Sequence, residues 1–372
     1  MSRERDDTRG EPTASVRDLV DIQRLLVLAS GYAPNSQPTR AVLGAKTAAD
    51  GSRGVLLTLD DAAVRVADKA RLVPLLGSRL SAGEIAVKRE EFGRRLIAAH
   101  RFFVAQMEVF RKVATEVVSE LAASSIPVLA IKGFALAHGV YRRDGERVMG
   151  DLDILVPRNA KNQAQKTIER MMGAKLKATA DFQVGIRTRH GVPIDLHWEL
   201  ASRHRFKTDI DGLIDRARPG PCNLLYPDPN DQMVVLAIHF ARSRMVAPFR
   251  TVIDGLALAR ANGASARVVA TRAREAGAER AVGVWLGMLA EYGLNQGEWG
   301  DLARELGGRL LVRWLRSRAL RRPGGKIEKE ARVLLLQDAR LGTARWIAVR
   351  AGVHAGRKVP GMGWLKRLDR RG

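Results

Sequence analysis

Arg147-Val148-Met149-Gly150-Asp151-Leu152-Asp153-Ile154-Leu155-Val156 is the stretch on which the reading of this chain turns. Leu152 to Val156 reads as a short buried strand, stopped by Pro157. Side chains alternate along a strand, so Leu152, Ile154 and Val156 share one face and point into a core. Asp151 and Asp153 then share the opposite face. Two carboxylates at this spacing occur often by chance, so their meaning depends on what the neighbouring segments bring to them.

Upstream, Ile126-Pro127-Val128-Leu129-Ala130-Ile131 is an apolar run that ends at Lys132-Gly133 and predicts a buried strand. Phe134 to Tyr141 reads as a short helix. Downstream, Lys161 to Met172 reads as a helix ended by Gly173. Phe182–Thr188 and Val192–Trp198 both alternate apolar with polar and flank His190-Gly191, as the two arms of a hairpin do. In the second arm Ile194, Leu196 and Trp198 share one face, while Asp195, His197 and Glu199 share the other. Strand, helix, strand, helix and hairpin within so short a span make a compact α/β unit.

If the second arm lies beside the first acidic strand, Asp195 faces Asp151 and Asp153. Three carboxylates converging on one open face repel each other unless a cation sits between them. Hard oxygen ligands of this kind favour Mg²⁺. Two such ions, about 4 Å apart, would bridge a triphosphate and activate an attacking oxygen. Asp151, Asp153 and Asp195 are therefore the expected metal ligands and catalytic residues. Gly133 lets backbone N–H groups approach a phosphate at the start of the following helix, and Lys132 would neutralise one of its oxygens. Arg142, Arg143, Arg147 and Arg158 flank the acidic pair in sequence, and Arg147 is the best candidate to hold a triphosphate. His197 shares the face of Asp195, where it would orient a ligand, shuttle a proton or serve as a structural histidine beside Trp198. His239 and Asp254 sit on predicted helices around Pro248, where they would either pair across a helical hairpin near the site or serve in buried structural hydrogen bonds.

Three segments taken in order resemble a known family. Ile131-Lys132-Gly133, the Arg147–Val156 stretch and Ile194-Asp195-Leu196-His197-Trp198 are similar to the Lys-Gly, Arg-x-x-Gly-Asp-x-Asp-x-Leu-Val and Leu-His-Trp motifs of the bacterial uncharacterised nucleotidyltransferase family, within the polymerase-beta-like superfamily. The likeness runs from about residue 70 to 260. It implies a nucleotidyltransferase fold, with Asp151 and Asp153 as metal ligands and Asp195 as third carboxylate. It also implies transfer of a nucleotidyl group from an NTP such as ATP to an acceptor that the family does not supply. The wider superfamily usually has Gly-Gly or Gly-Ser in its phosphate loop, where this chain has Lys132-Gly133-Phe134.

The remainder of the 372 residues reads as mostly helical. Residues 1–14 are polar and expected to be a disordered tail. Residues 15–125 form an N-terminal helical region. It includes helical patterning from Val55 past Leu72 and a long helix from about Gly83 to Ala123. Residues 126–205 hold the α/β core. Tyr226-Pro227-Asp228-Pro229 is a turn-rich link, and residues 222–322 are a C-terminal helical region in which Ser265 stands where a helix cap belongs. Residues 323–372 are a basic extension. The fold class is thus α+β, a small mixed β-sheet core with helices packed on it, embedded between N-terminal and C-terminal helical regions.

Composition narrows the partners. Basic residues number 63 against 40 acidic, a formal charge of +23. That balance attracts polyanions without naming one. Arg313-Trp314-Leu315-Arg316 and Trp364-Leu365-Lys366-Arg367 interleave tryptophan with basic residues, which suits nucleic acid, an anionic surface or a solvated face. A non-catalytic protein binding nucleotide or polyanion on the same fold is the alternative to an enzyme. Cys222 is the single cysteine, so intrachain disulfides and cysteine-based zinc sites are excluded. No Gly-x-Ser-x-Gly elbow or Walker-type loop occurs, which disfavours serine hydrolases and P-loop enzymes. No transmembrane run or apolar signal segment is evident, so a cytoplasmic location is expected.

Overall fold

A computed structural model of the chain describes residues 57–172, 175–202, 205–243 and 249–307, together with residue 23 and residues 25–27 and 29–32. The expected disordered tail, the basic extension and both tryptophan-containing basic segments lie outside the described residues.

The first strand, β1 (Leu57–Leu59), pairs in parallel with β2 (Ile85–Val87) as a separate two-stranded sheet. Helices Asp61–Lys69 and Val73–Ser81 lie between them in the chain. The first is capped by Asp60, whose side chain accepts from the Ala63 N–H. The patterning from Val55 therefore starts as strand, not helix. The long helix likewise begins at Glu90 rather than near Gly83 and runs to Ala122. The β-branched Ile85 and Val87 are spent on pairing, and Gly83 at φ +70° takes the chain out of the preceding helix.

A second, seven-stranded sheet builds the core. Its members are β3 (Leu129–Ala130), β4 (Leu152–Leu155), β5 (Lys175–Thr179), β6 (Gln183–Arg187), β7 (Pro193–His197), β8 (Arg218–Pro219) and β9 (Leu225–Tyr226). Their spatial order is β5-β6-β7-β4-β3-β9-β8. The pairs β4–β7 and β3–β9 are parallel and the rest antiparallel, so the sheet is mixed. The expected hairpin is present as β6–β7. The Ile126–Ile131 run narrows to two paired residues. Ser125, at φ +54°, and Pro127, which lacks an N–H, precede the paired part. Strand β5 and the edge pair β8–β9 have no counterpart in the sequence reading.

Strands β3 and β4 divide their residues between two cores. Leu152, Ile154, Val184, Ile186, Ile194 and Leu196 pack with Phe134, Ala164, Ile168 and the Met107–Leu121 half of the long helix. Leu129, Ile131 and Leu155 instead join a core of helices that takes in both Leu75 and Leu96 from the N-terminal side and Ile238, Leu256 and Trp285 from the C-terminal side. Those later helices are Pro229–Arg242, Arg250–Ala259, Ala266–Glu275, Glu279–Glu291 and Gly297–Gly307. Ser265 occupies the cap position of the third, but its side chain makes no capping bond. Its N–H is held by Asn230 Oδ1 at 2.7 Å. No helix among the described residues is long and apolar enough to cross a membrane.

Candidate active site

Register brings the acids together. In the parallel pair β4–β7, Asp153 stands directly opposite Asp195, and Leu152 and Ile154 oppose Ile194 and Leu196. The apolar residues fill one face, so Asp153, Asp195 and the residue two beyond, His197, emerge on the other. Asp151 sits one residue before the strand, half-buried at its entrance.

Lys132 closes on this face from the start of the Lys132–Gly139 helix. Its Nζ donates to Asp153 Oδ1 at 2.5 Å and lies 3.1 Å from His197 Nε2. His197 Nε2 is itself 3.0 Å from the same Oδ1. All these contacts fall on Oδ1, and among the described residues nothing donates to Oδ2. Lys132 adopts φ +53°, a left-handed conformation unusual for a side chain of this size. Gln232 donates to its carbonyl at 3.3 Å from the overlying Pro229–Arg242 helix.

The electrostatics follow from burial and crowding. Burial pushes the Asp151 carboxyl up to about 6, and repulsion from Asp153 and Asp195 adds to it. Asp195 is raised by burial and by Asp153. Burial would also raise Asp153, but Lys132 and His197 hold it well below the usual carboxylate range. Burial lowers the Lys132 ammonium despite the pull of Asp153. His197 falls to about 4 through burial and the adjacent Lys132, so its ring is neutral near pH 7.

Donor atoms of Asp153, Asp195 and His197 all lie within 4.8 Å of one another. That set fits a divalent cation: two hard carboxylates and a neutral imidazole, with crowded acids that a positive charge would relieve. The set differs in one member from the one expected, with His197 in it and Asp151 beside it at the strand entrance. Gly133 stands next to this cluster; a Cβ there would come within 3.2 Å of Met149 Cγ.

Arg147 has a different setting from the one its position suggests. It is buried, and its Nε and Nη2 donate to the two oxygens of Asp254 at 2.7 and 2.9 Å. Its Nη1 donates to the Val148 carbonyl. Tyr141 donates to the same Asp254 at 2.7 Å. Asp254 thus pairs with Arg147 and Tyr141, while His239 Nδ1 accepts from Arg242 at 3.3 Å. Of the two roles open to this pair, Asp254 has the buried structural one, and a His239–Asp254 bond is not among these contacts. Arg158 pairs with Glu199, and Arg143 with Glu84.

Two residues absent from the sequence reading complete the acidic face. Gln183 donates to Asp195 Oδ2 at 2.8 Å, and Arg242 donates to Gln183 Oε1 at 2.7 Å. Gln183 was in principle legible, since it alternates with Phe182 and Val184 on the strand opposite Asp195. Arg242 carries no such signal, because it arrives on a helix from another part of the chain.

The acids thus lie on one face of a small mixed sheet, with Lys132 in contact with them. The chain belongs to the uncharacterised nucleotidyltransferase family, whose model matches residues 59–293. It is accordingly a transferase of nucleotidyl groups. No curated protein matches it. Among solved structures, the chain is similar to the solution structure of the antibiotic-resistance factor ANT(2'')-Ia, at 12% identity and TM-score 0.34, over 45% of this chain and 91% of that one. A crystal structure of ANT(2'')-Ia in complex with adenylyl-2''-tobramycin gives 12% identity and TM-score 0.35, over 44% and 95%. Likeness of that size has no bearing on the substrate of this chain.

Proposed function

We propose that Asp151, Asp153 and Asp195 are the catalytic carboxylates of a Mg²⁺-dependent transfer of a nucleotidyl group from an NTP to an acceptor nucleophile. The register that sets Asp153 beside Asp195, with Lys132 and His197 against them, is the observation that carries this reading. Asp153 and Asp195, helped by Asp151 or His197, would hold the metal, which when bound polarises phosphate oxygens. In the transfer, the acceptor forms a bond to the α-phosphorus, the α–β bridging bond breaks, and pyrophosphate leaves with the electron pair.

The chain's own groups contribute position and charge. Lys132 fixes the rotamer of Asp153 through Oδ1 and leaves Oδ2 without a donor among the described residues. Gln183 holds Asp195 in the same way through Oδ2. The N-terminus of the Lys132–Gly139 helix, where Gly133 lies, favours the negative charge of a phosphate. His197, neutral and buried, keeps Asp153 in place without adding a second positive charge. Arg147, tied to Asp254, stiffens the loop that leads into Asp151.

Pyrophosphate release in the presence of each NTP, Mg²⁺ and a cell extract as acceptor source tests the reading. Asp153→Ala is expected to abolish the Mg²⁺-dependent release. Release at the parental rate in that variant would sink the assignment. Nucleotide binding that needs no Mg²⁺, with no turnover, would favour a binding protein on this fold.

A further inference from the structure

The cations around the acidic face are not alike. Lys132 is in contact with Asp153, Arg147 with Asp254 and Arg158 with Glu199. Arg242 is different. Its guanidinium reaches over the face from the last residue of the Pro229–Arg242 helix, largely buried, yet among the described residues it contacts no carboxylate. Its partners are the Gln183 amide oxygen at 2.7 Å, the His239 ring nitrogen at 3.3 Å and the Phe182 ring, whose centroid lies 4.8 Å from Cζ. Phe182 in turn stacks on His197, with ring planes 17° apart. Burial lowers the guanidinium from its usual value even though Asp153, Asp195 and Asp151 pull the other way.

A buried guanidinium without a carboxylate partner is costly, and an anionic ligand would offset that cost. Gln183 explains why Arg242 does not discharge itself on the acids. Its amide takes Arg242 on the oxygen and gives its NH₂ to Asp195, so a neutral group stands between the cation and that carboxylate. Phe182 supplies a flat shelf that keeps the guanidinium plane fixed. The result is a pre-set cation at one edge of an acidic face. That is the charge pattern suited to a ligand whose one end bridges metal ions on the acids and whose other end is a free polyanion. We infer that Arg242 anchors the distal phosphates of the nucleotide, a role that rests on the nucleotidyl-transfer reading above. A planar guanidinium held this way can give two parallel hydrogen bonds to phosphate oxygens.

The test uses the full chain and its Arg242→Gln and Arg242→Lys variants. Calorimetry measures Mg²⁺-supported binding of ATP, AMP and inorganic tripolyphosphate, and paramagnetic resonance measures Mn²⁺ binding without nucleotide. Arg242→Gln is expected to weaken ATP and tripolyphosphate on the order of 10- to 100-fold, as loss of a charged hydrogen-bond pair does. AMP and Mn²⁺ binding should stay at parental values, and Arg242→Lys should recover part of the loss. Parental ATP and tripolyphosphate affinity in Arg242→Gln overturns the inference. So does a parallel loss of Mn²⁺ and AMP binding, which would make Arg242 a prop for the acidic cluster. Tripolyphosphate binding that depends on Arg242 in a protein without nucleotidyl transfer would leave the anchor standing and remove the transfer reading instead.

Discussion

Lys132 shows how much one residue sets here. A left-handed φ in a lysine costs about 1–2 kcal/mol, and the return is an ammonium placed against Asp153 and His197. Lys132→Met should leave Asp153 buried and uncompensated, at a cost of about 3–5 kcal/mol. Added Mg²⁺ should restore part of that loss, because a second cation then serves the same carboxylates. Urea unfolding with and without Mg²⁺ checks this, and an Mg²⁺-insensitive deficit would count against a metal at Asp153. At this scale the acids were readable from sequence because strand alternation and register act over two to four residues. Lys132 was readable as a charge near a phosphate turn, but not as the partner of Asp153. The pairing of Arg147 was not readable for a similar reason, since its partner Asp254 is 107 positions away and nothing local announces it.

Elements were legible where a whole face is apolar or where punctuation is strong. The Lys161–Met172 helix and both hairpin arms stand where periodicity puts them, and helices fill much of the stretch from Pro229 to Gly307 that reads as helical. The short strands β1, β2, β8 and β9 were not legible, because so few residues carry no period; β3 was, from the longer apolar run around it. Their pairing is decided by partners elsewhere in the chain, as Leu129 with Leu225 illustrates. Contact between helices Val73–Ser81 and Glu90–Ala122 was equally silent in the sequence. Their backbones approach so closely at Gly77 that a Cβ would lie 2.1 Å from the Leu96 carbonyl oxygen. Gly77→Ala should therefore cost about 3 kcal/mol, because backbone must move to admit the methyl. Thermal unfolding measures it, and a parental midpoint would show that the two helices part without penalty.

At the level of the whole molecule, sheet and helices are joined by buried charge. Arg147 on the loop before β4 meets Asp254 on the Arg250–Ala259 helix, with Tyr141 on the same carboxylate. Asp254→Ala should cost about 3–5 kcal/mol by leaving a buried guanidinium alone. Replacing both partners, as Arg147→Met with Asp254→Leu, should recover most of it. Denaturant unfolding of the single and double variants checks the coupling; additive losses would mean the two residues act separately. This joint also bears on catalysis, since the loop it pins ends in Gly150-Asp151. Glu146, one residue earlier, is held from the other side by Ser78 and Tyr32. The α+β class was legible at this scale. That N-terminal and C-terminal helices share one core was not, because composition does not say which helices meet.

The central claim is that the acids on this face direct the transfer of a nucleotidyl group. The most direct measurement is to follow label from α-³²P and γ-³²P NTPs in a cell extract with Mg²⁺, for the parental chain and Asp195→Asn. The account predicts that α-label enters an acceptor, that γ-label leaves as pyrophosphate, and that both depend on Asp195 and Mg²⁺. Transfer of γ-label to the acceptor, or α-label transfer undiminished in Asp195→Asn, would contradict it.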